Sequence, residues 1–158
     1  MDTNVITPEG YAELQQELDD LWRKERPEVT KKVQWAASLG DRSENADYQY
    51  NKKRLREIDR RVRYLRNRLS SLRVVEYNPV QEGKAYFGAW VTLVDEDDNR
   101  LNFRIVGPDE IYGRNNYVSV RAPVVRACLG KSEGDEVIVR TPETTKHWEI
   151  DRISYRQS

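Results

Sequence analysis

The chain has 158 residues, enough for one ordinary domain or two small ones. With 37% hydrophobic and 34% charged residues it is polar for a single globule, which points to a thin or extended part with much solvated surface. Its 27 basic and 27 acidic residues cancel, and the lone cysteine, Cys128, excludes an intrachain disulfide and a thiolate metal cluster. No apolar run approaches the roughly 20 residues of a membrane span. Met1-Asp2-Thr3-Asn4 lacks the layout of a secretory signal. A cytoplasmic protein with no membrane partner is expected.

Thr7-Pro8-Glu9 reads as a helix start, with Thr as N-cap, Pro at the first helical position and an acid in the first turn. Gly10 weakens that start. Tyr11, Leu14, Leu18 and Leu21 follow at coiled-coil spacing. Pro27 removes a backbone donor, so an irregularity is expected around Arg26-Pro27. Val29, Val33, Ala36 and Ala37 resume the apolar face, and Leu39-Gly40 reads as the stop. Asp41 or Ser43 can cap the next helix, whose seam runs Tyr48, Asn51, Leu55, Ile58, Val62, Leu65, Leu69 and Leu72. Two helices of about 30 residues, each about 45 Å long, joined by a few residues, must lie antiparallel. The acidic turn, residues 39–47, then sits at the end of a two-helix coiled coil.

Composition shifts after Glu76. Residues 77–83, rich in proline, glycine and polar side chains, read as a linker between a coiled coil over 1–76 and a second domain over 84–158. Residues 85–94 and 101–106, separated by a turn, suggest a hairpin; 117–120, 136–140 and 148–155 are further strand candidates. Pro123 to Leu129, followed by Gly130, reads as one short helix. The expected class is α+β, a long antiparallel two-helix coiled coil followed by a mostly antiparallel sheet domain.

Two features carry chemistry. Lys52 to Arg68 holds nine basic residues against two acidic, an excess of +7 in a chain that sums to zero. A solvated coiled-coil face usually mixes signs, so this one-sided face suggests contact with a polyanion, with Tyr48, Tyr50 and Tyr64 available to stack on bases. Asp41, Glu44 and Asp47 lie three apart around the turn. They can serve as helix caps or as carboxylate ligands for Mg²⁺, which is often held by only one or two carboxylates and otherwise by water and phosphates. No gly-rich phosphate loop is present. His147 and Cys128 read as structural, and Trp22, Trp35, Trp90 and Trp148 as packing residues, Trp35 being the one to examine for exposure.

The stretch from Arg26 through Trp35-Ala36-Ala37-Ser38-Leu39-Gly40-Asp41-Arg42-Ser43-Glu44-Asn45-Ala46-Asp47-Tyr48 to Arg61 resembles the bacterial Gre family of transcript cleavage factors. The similarity extends through Phe87-Gly88-Ala89-Trp90 and Phe103-Arg104-Ile105-Val106-Gly107 to near the end. The resemblance implies a C-terminal domain that is FKBP-like and a coiled coil that enters the secondary channel of RNA polymerase. It implies stimulation of Mg²⁺-dependent cleavage of the backtracked nascent RNA, the factor being no enzyme itself. Asp41 and Glu44 would share the Mg²⁺ with polymerase, with Ser43 positioning or capping. Lys52, Lys53, Arg56, Arg60 and Arg61 would contact the RNA. Docking is implied for the segment before the short helix, where Pro123 is retained but Arg121 stands in place of an acidic or Ser-Pro pattern. Nothing demands more than a monomer. The competing reading is a channel-binding regulator of polymerase that assists no chemistry.

Overall fold

The computed structural model describes residues 4–40, 42 and 44–156. The chain divides into two compact units. Tyr11–Leu72 forms one; Arg73–Ser158, together with the first residues Met1–Gly10, forms the other.

The helical unit is an antiparallel hairpin. Its first arm starts as helix α1 (Pro8–Asp20), with Thr7 Oγ1 accepting the Gly10 N–H at 3.0 Å as expected of the cap. It continues through a π-helical stretch, Leu21–Glu25, into α2 (Arg26–Ala37). The irregularity signalled by Pro27 is therefore a widened turn immediately before it. The Arg26 N–H reaches back five residues to Leu21 O, which eases the crowding a proline ring imposes on the preceding turn. The second arm is α3 (Ala46–Ser71), 26 residues and about 39 Å long. Leu14, Leu21, Val29 and Ala36 of the first arm and Ile58, Val62 and Leu65 of the second are buried, as the seam spacing requires.

Ion pairs flank the seam. Arg26 grips Asp59 at 2.7 and 3.4 Å, Arg61 grips Glu17 at 2.6 and 2.9 Å, and Arg54 binds Glu25. Trp22 and Trp35 do not pack as expected. They are 45% and 60% exposed, and Trp22 lies beneath the guanidiniums of Arg26 and Arg66.

The other unit is built on a five-stranded sheet, β3 (Trp90–Val94), β4 (Arg100–Val106), β5 (Tyr117–Ser119), β6 (Glu136–Arg140) and β7 (Thr145–Ser154), in the order β5-β4-β3-β7-β6. Three pairings are antiparallel; β4 and β5 run parallel, so the sheet is mixed. Residues 85–89 lie outside the sheet because the chain turns at Phe87-Gly88, with Ala89 N–H donating to Tyr86 O. Helix α4 (Pro123–Cys128) buries Val125 and Cys128 against the core formed by Val91, Leu93, Phe103, Ile105 and Ile150.

The sequence boundaries at 76 and 84 and the compact units do not coincide. A strand over Val5–Ile6, β1, pairs in parallel with β2 (Arg73–Val74), and Val5 belongs to the sheet unit's core. The carboxylate of Glu110 fastens the same segment, accepting from Thr7 N at 3.1 Å, from Gly107 N at 2.8 Å and from Thr7 Oγ1.

Candidate catalytic turn and nucleic-acid face

The turn between α2 and α3 is braced from both ends. Gly40 takes φ +119, a conformation that favours glycine, after the last turn of α2. Asn45 caps α3: its Oδ1 accepts the Tyr48 N–H at 3.0 Å, and its Nδ2 donates to Ala36 O at 2.7 Å, so one side chain ties the two arms together. Gln49 Nε2 donates to Arg42 O at 2.8 Å, and the Arg42 guanidinium stands 5.6 Å from the Tyr48 ring. Asn45 thus takes the capping role expected of Asp41 or Ser43. Its extended backbone (φ −89, ψ 102) puts Glu44 ahead of the helix, so Glu44 and Asp47 are not a pair on one helical face. The sequence did carry a signal for this: Asn is a favoured cap, and Asn45 stands directly before the helical run.

Glu44 is exposed and makes no hydrogen bond or ion pair among the described residues. Asp41 and Ser43 lie outside the described residues. Among the described residues no group of three histidine, cysteine or acidic side chains could hold a metal ion. The donor set offered here is hard carboxylate oxygen, which suits Mg²⁺, in a number that leaves most of the shell to other donors.

Seven of the nine basic residues of α3 fall into two sets. At about 100° per residue, Lys52, Lys53, Arg56, Arg60 and Arg63 fall within an arc of about 100° opposite the seam. None of them forms an ion pair among the described residues, and all except the half-buried Lys52 are exposed. Arg54 and Arg61 lie on the flank and are held by Glu25, Glu57 and Glu17. Arg61, expected on the RNA face, is therefore engaged in holding the hairpin together, while Arg63 joins the outward stripe.

In the sheet unit, Pro123 opens α4 at an exposed position, and Arg121, also exposed, donates its backbone N–H to Ser119 Oγ at 3.1 Å. His147 is exposed, with Nδ1 3.0 Å from Glu136 Oε1. Burial pushes the Cys128 thiol up to about 11, which leaves it protonated at neutral pH and a packed thiol rather than a nucleophile. No helix among the described residues is long and apolar enough to cross a membrane.

Residues 4–74 match the family described as "Transcription elongation factor, N-terminal", and residues 80–155 the one described as "Transcription elongation factor, GreA/GreB, C-term". The chain belongs to this family. It is 62% identical to the transcription elongation factor GreB of Pseudomonas putida over 99% of its own length and 97% of that protein. It is 60% identical to GreB of Pseudomonas syringae pv. tomato over 99% and 100% of the two chains. Among solved structures it resembles Thermus aquaticus Gfh1 at 25% identity, covering 94% and 96% of the two chains with a TM-score of 0.43.

Proposed function

We propose that this elongation factor stimulates RNA polymerase to cleave its own backtracked transcript. The hairpin enters the secondary channel, and the turn brings Asp41 and Glu44 to the polymerase active centre. The observation that carries this reading is Glu44. It is a carboxylate left exposed and without an ion pair among the described residues, on a turn that Asn45 and Gln49 fix to both arms. Asp41 and Glu44 would hold Mg²⁺ jointly with polymerase, and Ser43 would position them. An ion held by those carboxylates together with polymerase would supply hydroxide at neutral pH and charge stabilisation for an in-line displacement. The chain's own part is to deliver oxygen ligands on a braced support. The outward stripe on α3 binds the phosphates of the extruded RNA. The segment Arg121 to Pro123 docks on polymerase at the channel mouth, Arg121 facing an acidic surface there. The factor acts as a monomer in the cytoplasm and is not a nuclease alone.

The test is cleavage in backtracked complexes. Asp41→Asn with Glu44→Gln is expected to abolish transcript cleavage while leaving polymerase binding nearly intact. Full cleavage by that double variant would overturn the reading, as would RNA cleavage by the pure protein with Mg²⁺ and no polymerase.

A further inference from the structure

The three tyrosines near the cationic stripe are not equivalent. Tyr48 is half-buried under the Arg42 guanidinium. Tyr64 is 43% exposed, and Arg61, itself anchored to Glu17, stands 5.2 Å from its ring. Tyr50 is 71% exposed and makes no hydrogen bond or ring contact among the described residues. It lies one turn inside α3, three residues before the exposed and unpaired Lys53 and about 60° round the helix from it.

A bare aromatic face beside an unpaired cation is the combination that holds single-stranded nucleic acid, with a base on the ring and a phosphate on the ammonium. The five outward cations cannot define a register, because phosphates repeat identically along the strand. A ring that stacks one base can. We propose that Tyr50 is a base-stacking platform that fixes the position of the extruded RNA strand along α3, with Lys53 holding the adjoining phosphate. This rests on the cleavage reading above and adds to it a contact with the bases. RNA is the occupant favoured by the charge of the stripe, on which Lys53, Arg56, Arg60 and Arg63 are all exposed.

The test compares Tyr50→Phe, Tyr50→Trp, Tyr50→Leu and Tyr50→Ala on backtracked complexes whose extruded RNA carries 2-aminopurine at each position in turn. The Tyr50 side chain is 71% exposed and lies outside the buried seam, so these changes leave the core of the hairpin in place. The Ala and Leu variants are expected to need about fivefold to a hundredfold more protein for half-maximal cleavage, whereas Phe and Trp keep the wild-type requirement. The wild-type and Phe proteins quench 2-aminopurine emission at one position of the strand, and the Leu protein does not. Equal performance of Leu and Phe overturns the proposal and leaves the cleavage reading standing, as does cleavage without quenching at any position. A ring-dependent loss of affinity for polymerase complexes with no extruded RNA would assign the ring to a protein contact and also overturn it. If the wild-type protein promotes no cleavage, both readings fall.

Discussion

Glu110 is 8% exposed, and three donors, two from Thr7 and one from Gly107, converge on its carboxylate, so its buried oxygens are hydrogen-bonded. The space it occupies explains Gly10. A Cβ added at Gly10 would stand 2.6 Å from Glu110 Cδ and nearer still to its oxygen. In an exposed helix Gly→Ala stabilises by up to about 1 kcal/mol. Here the added methyl collides with a bonded carboxylate, so overpacking decides the sign. Gly10→Ala is expected to destabilise the sheet unit by about 1–3 kcal/mol, read as a lower midpoint in thermal or denaturant unfolding. A rise in midpoint would show that Glu110 gives way freely. From the sequence Gly10 was only a flaw in a helix start, because its reason lies at residue 110. The cap residue Asn45 was legible in principle, but Asp41 and Ser43 in the same turn competed with it.

At the scale of the element, the hairpin is held by its seam more than by the charges beside it. Ile58 is fully buried, and Ile58→Ala should cost about 2–5 kcal/mol through lost burial and the cavity left behind. Arg61 and Glu17 are 41% and 38% exposed, so Arg61→Ala should cost under about 1 kcal/mol. Urea unfolding followed by helical circular dichroism measures both, and an equal loss would contradict the ranking. The seam was readable because spacing of three and four is set by helix geometry alone. Two things were not. Pro27 announced an irregularity but not that a π turn would absorb it. The count of basic residues could not say which cations the opposite arm would neutralise, since that depends on how Glu17 and Glu25 line up across the seam.

For the whole molecule, a net charge of zero conceals an uneven field. The outward stripe of α3 has no ion pair among the described residues, while Glu17, Glu25 and Asp59 are paired beside the seam. Each cation that neutralises a single-strand phosphate contributes about −0.7 to the slope of log affinity against log salt. Lys52→Ala with Lys53→Ala should therefore flatten the salt dependence of half-maximal cleavage by roughly 1.4 and shorten the released fragments. An unchanged slope would mean that these lysines face only solvent. At this scale the sequence conveyed the α+β class and the change of pattern after Glu76. It did not convey that the first strand belongs with the last ninety or so residues, because a two-residue strand has no periodicity to detect.

That pairing has a consequence for the order of folding. The segment Val5–Ile6 is synthesised before the hairpin, yet its partner, Arg73–Val74, follows only after the entire hairpin has been made. Joining two strands across so long an unstructured stretch would carry a heavy closure entropy. The hairpin removes most of it: its contacts are close in sequence and zip from the turn, and once Tyr11 Oη donates to Leu69 O the two ends stand together. The intervening helices then act as a tether already closed, and β1 has only a few residues left to travel. Assembly of the sheet unit should wait on the hairpin, so a substitution at Ile58, far along the chain from the sheet, is expected to slow the appearance of native sheet signal during refolding.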